Sequence, residues 1–319
     1  HWVFRQYDHE VGIRTVIKPG FDGSVLRLDN GKFLSVKIDG NPKHCYINPR
    51  QGAIGCFEEA CRNVVCTGAT PIGMVDHLQF GNPEDPEIFW TFMESIEGIT
   101  DFAKFLDIPC VGGKVSFYNE TSDGPIKPTP LIGVLGIIEK SPLLPTPPSN
   151  NDIILLIGET KDELGGSEYY EYIHNFIGGV APKVDFSESK KNMKSVLSFI
   201  SKNLVKFVHD CSKGGLAIGI SELCIFGKIG CNIDLPSSLS SEKMLFSESH
   251  ARYILVVNKN NLDDIKSILS DDNCSFSEIG IFSGDQIVFE SASDPILKLR
   301  VDKAENNYLN SLGKIIQNG

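Results

Sequence analysis

Polar side chains that could bind phosphate groups are concentrated in the stretch VGGKVSFYNE at residues 111–120. Two adjacent glycines let a ligand approach the backbone closely, and Lys114 and Ser116 follow with side chains that can donate hydrogen bonds to phosphate oxygens. The stretch is not a Walker A motif, because no serine or threonine directly follows the lysine. A glycine pair alone is more typical of a turn at the end of a strand, but its polar neighbours favour a loop that binds phosphate and metal.

A second polar stretch, MVDHLQFGNPEDPE at residues 74–87, places Asp76 inside an apolar run. Burying an unpaired carboxylate is unfavourable. Asp76 therefore either caps a nearby backbone group or faces a site at the end of a sheet, and the local sequence leaves both alternatives open. The adjacent His77 is typical of a structural histidine, and FGNP at residues 80–83 is typical of a turn.

The stretch HDCSKGGLAIGISEL at residues 209–223 has a histidine and an aspartate before a glycine pair and a helical pattern. Backbone N–H groups at the start of that helix could bind an anion. The residue types favour a simpler interpretation, in which Asp210 or Ser212 caps the helix.

In FSESHARYI, residues 246–254, the charged residues Glu248, His250 and Arg252 alternate just before an apolar strand pattern. Alternation places the three side chains on one face, which is either a polar site or the solvent side of a sheet. No Ser-His-Asp or Cys-His arrangement and no zinc-binding pattern can be assigned from the spacing of residues in the sequence.

The composition limits the classes of function. The 319 residues suffice for two domains, and a net charge of −11 with a pI near 5.1 argues against nucleic-acid and acidic-membrane partners. Nine cysteines without a C-x-x-C pair indicate reduced thiols in a cytoplasmic protein. The sequence shows no signal peptide and no apolar run of ~20 residues, so it predicts no membrane span. The first residue is His1 rather than methionine, which suggests a processed product or a fragment.

A proline-rich segment, EKSPLLPTPPSNND at residues 139–152, is the best candidate for a domain boundary, because proline interrupts helices and central strands. We therefore predict an N-terminal domain over residues 1–141 and a C-terminal domain over residues 142–319. On both sides of the boundary, apolar periodicity predicts helices and strands in a mixed order without a strict βαβ alternation. The predicted fold class is therefore α+β in both domains.

Five stretches together resemble one known family. They occupy residues 39–87, 111–121, 126–139, 158–169 and 209–223. In this order they resemble phosphoribosylformylglycinamidine synthase, specifically the C-terminal half of its large synthetase subunit, and the resemblance covers nearly the whole chain. It implies a two-domain unit of the aminoimidazole ribonucleotide synthetase-like superfamily. Such a unit has a mixed-sheet N-terminal domain, for nucleotide binding and dimerisation, and an α/β sandwich C-terminal domain.

The reaction of that family is an ATP-dependent amidation in purine biosynthesis. ATP phosphorylates the amide oxygen of formylglycinamide ribonucleotide, and ammonia from a glutaminase then displaces phosphate to form the amidine. The resemblance therefore implies a carbon–nitrogen ligase that uses ATP and Mg²⁺. It also implies three partners: the N-terminal half of the same subunit, a glutaminase subunit and a small bridging subunit. The isolated half could instead pair with itself as a symmetric dimer.

Carried over residue by residue, the resemblance implies that Asp76 and Gly113 bind ATP and that Ser116 binds the substrate. Lys114 departs from the family, which usually has a metal-contacting asparagine at this position. An ammonium group has no lone pair and cannot ligate Mg²⁺. Lys114 therefore either contacts a phosphate directly or marks a lost metal position, and we favour the phosphate contact.

The resemblance implies no catalytic residue in this chain, because the family's catalytic histidine and most of its metal-binding carboxylates lie in the other half. The segment FSESHAR is interpreted as a degenerate counterpart of a substrate motif of that half, with Glu248 and His250 as the candidate residues. We therefore expect the isolated chain to lack synthetase activity, whereas the full-length subunit has it.

Two other functions stay open. The chain could be a non-catalytic scaffold half that holds a structural nucleotide, an alternative that the Lys114 substitution favours. It could also be a related single-copy enzyme built from the same two domains, such as aminoimidazole ribonucleotide synthetase or a small-molecule kinase. The stretches FGNPE and VSFYNE favour the first family over these single-copy enzymes.

Overall fold

The computed structural model describes residues 6–236, 238–292 and 294–318. Its strands are β1 (Thr15–Ile17), β2 (Ser24–Arg27), β3 (Phe33–Asp39), β4 (Thr70–Gln79), β5 (Cys110–Ser116), β6 (Glu120–Thr121), β7 (Gly124–Pro125), β8 (Thr129–Ile138), β9 (Ile153–Ile157), β10 (Phe207–Asp210), β11 (Cys231–Asp234), β12 (Tyr253–Val257), β13 (Phe276–Phe282), β14 (Gln286–Ser291) and β15 (Asp294–Arg300). Its α-helices are α1 (Pro42–Ile47), α2 (Pro49–Cys66), α3 (Pro86–Leu106), α4 (Glu168–His174), α5 (Phe186–Ser201), α6 (Gly215–Gly227), α7 (Ser241–Phe246), α8 (Leu262–Asp271) and α9 (Val301–Asn318). Two short 3₁₀ turns cover Val11–Ile13 and Lys259–Asn261.

The first sheet has the strand order β1-β2-β3-β8-β4-β5. Its pairs are antiparallel except β4 with β5, which run parallel and are joined through α3. Helix α3 begins where the Asp85 side chain accepts hydrogen bonds from the first backbone N–H groups and Pro86 occupies the first turn. Strand β5 forms one edge of this sheet, so its outer backbone groups face no neighbouring strand of the sheet.

The second sheet has the order β10-β12-β9-β13-β11-β14-β15 and is antiparallel except for β11 with β14. Alternate residues of β9 enter different cores: Ile153 and Leu155 face one core, and Ile154 and Leu156 face the other. Helices therefore cover both faces of this sheet, as an α/β sandwich requires. The predicted α+β fold class is confirmed.

Helix α2 joins the two domains. The Asn48 side chain caps its first turn, and nearly every side chain along it is buried. It contacts β3, β4 and β8 of the first sheet and also α5 and β10 of the second domain. One apolar core consequently includes Phe57 and Val65 of α2 together with Leu155 and Tyr253 of the second sheet.

All strands of the first sheet end by Ile138, and the second sheet begins at Ile153. The two sheets thus lie on either side of the proline-rich segment, while the bounds 1–141 and 142–319 stay a prediction. No helix among the described residues is long and apolar enough to cross a bilayer.

One local prediction was wrong. The stretch predicted as a phosphate-binding loop is mostly strand, because β5 continues to Ser116 in register with β4. Helix α4 ends at His174, where Asn175 adopts the left-handed conformation that terminates helices.

Candidate functional site

The parallel strands β4 and β5 bring Asp76 directly opposite Gly113. Asp76 is half-buried and lies on the face of β4 that carries the buried Met74 and Leu78. A Cβ atom at Gly113 would lie 2.5 Å from Asp76 Oδ1, so glycine is required to leave room for the carboxylate. Two residues that the resemblance assigned to one ligand are therefore in contact.

A cavity of about 630 Å³ lies between this strand pair and helix α3. Its walls include Asp76 and Cys110 from the strands and Thr100 and Lys104 from the helix. The Cys110 thiol lies 3.5 Å from Asp76 Oδ2, and Asp76 caps no backbone N–H group among the described residues. Of the two alternatives for Asp76, the structure therefore supports a side chain that faces a cavity rather than one that caps the local backbone.

Lys114 and Ser116 lie on the other side of this strand pair. They are in register with His77 and Gln79, which alternate with Asp76 along β4 and so point to the opposite face. Lys114 is exposed and forms no ion pair in the part of the chain that the structure describes. The four predicted residues thus share one strand pair but divide between its two faces.

The edge position of β5 connects these two faces. Three strand positions separate Asp76 from the level of Ser116, which corresponds to ~10 Å along the strand. Because β5 is the last strand of the sheet, a ligand can reach both faces by passing around it. The site is therefore an open sheet edge rather than an enclosed loop.

The face of the first sheet that carries Lys114 is apolar near its centre. Ile38 is 64% exposed and Val75 is 36% exposed, and both approach the side-chain-free surface of Gly133. Val111 on the edge strand, which approaches Gly73, is also exposed. A contiguous exposed apolar surface of this kind is typical of a protein–protein interface.

A buried polar cluster lies between α2 and the second domain. Arg62 pairs with Glu58 one turn away on α2 and with Asp210 Oδ2 at 3.3 Å on β10. Glu58 also accepts a hydrogen bond from Ser189 Oγ at 2.9 Å and lies 3.2 Å from His250 Nδ1. Burial opposes ionisation of Glu58, but Arg62 and His250 outweigh it and lower the pKa of Glu58. The two domains are therefore joined by buried charge as well as by apolar packing.

Two more carboxylates, Asp39 and Glu59, lie in this seam near Arg62. Asn63 Nδ2 lies 3.1 Å from Asp210 Oδ2 and 3.4 Å from Asp39 Oδ2, and its Oδ1 accepts from Lys37 Nζ at 3.0 Å. Burial, reinforced by Asp39 and Asp210, raises the pKa of Glu59 well above its ordinary value. Burial also opposes ionisation of Asp210, but Arg62, His209 and Lys37 lower the pKa of Asp210 to about 2. Burial therefore favours the protonated form of Glu59, whereas Arg62 favours the ionised form of Asp210.

His209 links four parts of the fold at this seam. Its Nδ1 lies 2.9 Å from Asp22 Oδ1, and its Nε2 lies 3.0 Å from Glu222 Oε2. Tyr308 of α9 donates to Glu222 Oε1 at 2.7 Å. Burial disfavours the imidazolium, but Asp22 and Glu222 raise the pKa of His209 well above its ordinary value. Ligand atoms of Asp22, His209 and Asp210 lie within 4.8 Å of one another, a spacing that could hold a metal ion.

The predicted cap of α6 was wrong. Gly214 is the N-cap of that helix, and its backbone N–H donates to Glu248 Oε1 at 2.8 Å. Asp210 instead bonds to Arg62 and Asn63. The distant Glu248 replaces the local cap because the fold brings a buried carboxylate to this helix start.

The alternation predicted for Glu248, His250 and Arg252 was also wrong, because this segment precedes β12 as irregular backbone and all three side chains are buried. Glu248 Oε1 also accepts from the backbone N–H of Glu168 at 2.8 Å, and Arg252 donates to the Ser247 carbonyl at 2.6 Å. The three residues stabilise the fold and do not face solvent.

Sequence reasoning missed Asp22, Lys37 and Asn63 as members of the seam. They come from separate segments, so no local motif identifies them. The i,i+4 spacing of Glu58 and Arg62 on α2 was a signal that could have been used, because such a pair shares one face of a helix.

Comparison with known families defines the class of protein. Residues 20–138 match the N-terminal domain of AIR synthase related proteins, and residues 149–290 match the C-terminal domain. The chain belongs to this AIR synthase related family.

Among curated relatives, the chain is similar to phosphoribosylformylglycinamidine synthase subunit PurL of Pyrococcus horikoshii. The two are 39% identical over 315 residues, which is 99% of this chain and 44% of that subunit. The chain therefore spans less than half the length of the curated relatives that it matches.

Solved structures of Thermotoga maritima PurL share the fold. The complex with FGAR has a TM-score of 0.78 over 92% of this chain and 49% of that chain, at 18% identity. The complex with ATP has a TM-score of 0.72 over 88% of this chain and 46% of that chain, also at 18% identity. The structure of PurLQS from the same organism has a TM-score of 0.71 over 91% of this chain and 47% of that chain, at 20% identity. At these identities the likeness establishes the fold alone.

Proposed function

We propose that this chain is the C-terminal half of an ATP-dependent ligase that converts formylglycinamide ribonucleotide to its amidine in purine biosynthesis. The observation that carries the proposal is the pairing of Asp76 with Gly113 beside a cavity at an open sheet edge. Similarity to PurL over 99% of the chain supports it. We place the reaction in the cytoplasm, where free thiols such as the nine of this chain persist.

In this proposal Asp76 and Gly113 contact ATP, Ser116 contacts the substrate and Lys114 contacts a phosphate. The amide oxygen of the substrate attacks the γ-phosphorus and ADP leaves, which forms an iminophosphate. Ammonia then attacks the carbon of the activated amide. Inorganic phosphate leaves from that carbon, and a proton is lost to give the amidine. Such a reaction needs positioning and charge neutralisation more than covalent help from the protein. Lys114 supplies one positive charge beside Ser116 at the sheet edge.

The residues at this edge do not fit a magnesium site by themselves. Lys114 has no lone pair, and Asp76 lies on the opposite face of the strand pair. Asp107 lines the cavity together with Asp76, and Glu120 accepts a hydrogen bond from the Asn82 backbone N–H at 2.8 Å. We therefore assign Mg²⁺ to no residue of this chain and expect its carboxylate ligands in the N-terminal half.

We further propose that the exposed apolar face around Ile38 and Val75 packs against the N-terminal half of the subunit, and that the isolated chain pairs with itself through the same face. Size and exposure of the face support this, since burying it removes apolar area from water. Sedimentation should show a dimer for the isolated chain, and Val75→Lys should abolish it. A monomer at high concentration would contradict this part. A glutaminase subunit and a small bridging subunit complete the proposed assembly.

The test of function compares the isolated chain with the same chain joined to the N-terminal half of a PurL subunit. With ATP, Mg²⁺, ammonium and formylglycinamide ribonucleotide, the joined protein should form the amidine and the isolated chain should not. Asp76→Asn in the joined protein should lower kcat/KM at least tenfold, about the effect of losing one hydrogen bond to a charged group. Full activity of Asp76→Asn would reject the assignment of this edge.

The alternative is a non-catalytic half that holds a structural nucleotide. The burial of Glu248 and His250, which removes them from any ligand, favours it. Thermal shifts separate the two functions. Substrate should add to the stabilisation by ATP if the site is shared, and should add nothing if the nucleotide is structural.

A further inference from the structure

Two buried contacts between a histidine and a glutamate cross the seam between the domains in opposite directions. His44 of α1, in the first domain, places Nε2 3.5 Å from Oε2 of Glu248 in the second domain. His250 of the second domain places Nδ1 3.2 Å from Oε2 of Glu58, which lies on α2 of the first domain. None of these four side chains is more than 5% exposed. Each domain therefore supplies one imidazole and one carboxylate to the seam.

The two imidazole rings are in edge-to-face contact, with their centroids 6.3 Å apart. Each ring also packs against a glycine of the opposite domain. A Cβ atom at Gly55 of α2 would lie 2.6 Å from His250 Nε2, and one at Gly166 would lie 2.8 Å from His44 Cδ2. Both rings are thus confined between the domains, and a rearrangement at one contact reaches the other.

The carboxylates have other partners, whereas the imidazoles do not. Glu248 accepts from two backbone N–H groups through Oε1, and Glu58 pairs with Arg62. Among the residues that the structure describes, His44 Nε2 and both ring nitrogens of His250 have no aligned hydrogen-bond partner. The rings are therefore held to the carboxylates by electrostatic attraction, which depends on the charge of each imidazole.

His250 faces one carboxylate and one cation. Burial lowers the pKa of His250 below its ordinary value of 6.5, and Arg62 and His44 reinforce this shift although Glu58 opposes it. The other ionisable side chains bonded to this part of the seam, or adjacent to it in the chain, are Lys43, Glu163, Glu168, Lys213, Arg252 and Tyr253. His250 is therefore neutral near pH 7, and a proton added to it would share the seam with a buried guanidinium.

We propose that these two contacts form a latch between the domains, which is closed while His250 is neutral and opens when His250 binds a proton. The proton places an imidazolium beside Arg62, and opening relieves the repulsion because it exposes the ring to water. Since the pKa of His250 is lowered in the closed state, the stability of the seam is complete above about pH 6.5 and is lost as pH falls below this value. The lowered pKa values of Glu58 and Glu248 act in the same direction at lower pH. The latch does not depend on the proposed ligase function.

Buried thiols report on the latch. Cys61 lies one turn from Glu58 on α2, in the core that both domains share, whereas Cys231 is buried in the other core of the second domain. The chain is labelled with 4,4′-dithiodipyridine, which also reacts at acid pH, and each cysteine is followed by mass spectrometry. Lowering the pH from 7.5 to 5.5 should raise the labelling rate of Cys61 relative to Cys231 by up to ~10-fold, because opening linked to one proton gains a factor of ten per pH unit below ~6.5.

Substitutions identify the titrating residue. His250→Gln keeps a hydrogen-bond donor but does not titrate, so it should make the ratio of the two rates independent of pH. His174→Gln, at the exposed end of α4, is the matched control and should retain the rise. His44→Gln leaves His250 in place and should also retain it.

Three results would overturn the latch. The ratio could be independent of pH in the parent chain, or His250→Gln could retain the rise. An equal rise for Cys61 and Cys231 would show that acid unfolds the whole chain rather than opening the seam. Loss of the rise in His44→Gln alone would show that His250 is not the residue that binds the proton.

Discussion

Arg62 of α2 and Asp210 of β10, which are 148 positions apart in the sequence, meet at 3.3 Å in the buried seam between the two domains. The same guanidinium pairs with Glu58, so one fully buried cation neutralises carboxylates that belong to both domains. Removing one partner of such a network leaves an uncompensated buried charge. The relative position of the domains therefore depends on this residue.

Arg62→Leu should lower the free energy of unfolding by about 3–5 kcal/mol, because Glu58 and Asp210 lose their shared cation. Urea unfolding measures the change. Arg50→Leu is the matched control, since Arg50 forms exposed ion pairs with Glu97 and Asp101, which contribute at most about 1 kcal/mol. Equal losses for the two variants would contradict the assigned role of the seam.

Neighbouring glutamates on α2 should respond in opposite directions to the same substitution. The pKa of Glu59 is raised in the folded protein. The stabilising contribution of Glu59 to the free energy of unfolding is therefore present below its unfolded pKa and is lost as pH rises through its folded pKa. Glu59→Gln should therefore stabilise the protein, by about 1 kcal/mol or more at pH 8 and less at pH 5. Glu58→Gln should destabilise it, because the pKa of Glu58 is lowered by Arg62 and His250. Denaturation across pH 5–8 tests both signs, and a destabilised Glu59→Gln would refute the first.

Protonation of Asp210 should account for a large part of the stability that the protein loses between pH 4 and pH 2. The pKa of Asp210 is lowered to about 2 in the folded protein, from an ordinary pKa of 3.8. Its stabilising contribution to the free energy of unfolding is therefore complete above pH 3.8 and is lost as pH falls towards 2. This lowering of the pKa of Asp210 corresponds to about 2 kcal/mol in the free energy of unfolding. Asp210→Asn should flatten the stability profile between pH 4 and pH 2, whereas Asp271→Asn at the exposed end of α8 should leave the slope as it is. An unchanged slope in Asp210→Asn would count against the ion pair.

Gly113→Ala should displace the Asp76 carboxylate, because the added Cβ would lie 2.5 Å from Oδ1. We expect ATP affinity of the joined protein to fall ~10-fold, as for one lost hydrogen bond to a charged group. Gly112→Ala is the control on the same strand, since its Cβ would lie 3.8 Å from the nearest atom, in Val75. Calorimetry that finds both variants equal to the parent would remove Gly113 from the site.

Lys114→Ala should weaken nucleotide binding ~5-fold at low ionic strength, because an exposed ammonium beside the sheet edge loses its attraction for phosphate. The effect should shrink in 0.5 M salt through screening. Lys202→Ala, at the exposed end of α5, is the charge-matched control. Unchanged affinity of Lys114→Ala by calorimetry would reject the phosphate contact.

The sequence by itself determined the two-domain α+β organisation. Apolar periodicity and proline placement are local properties, so α2, α3 and the proline-rich segment between the sheets could be predicted from nearby residues. The proximity of Asp76 to Gly113 also followed from the resemblance, since both belong to recognised stretches.

Only the tertiary structure determined which face of the sheet each side chain of the candidate site lies on. The register of β4 with β5 places Asp76 on one side of the sheet and Lys114 on the other, a choice that depends on strand pairing rather than on local pattern. The fold also determined the hydrogen-bond partners of two buried carboxylates. Glu248 accepts from the backbone N–H of Glu168, and Asp210 pairs with the guanidinium of Arg62. Burying a carboxylate requires such partners, and partners that are far apart in the sequence cannot be identified before the chain is folded.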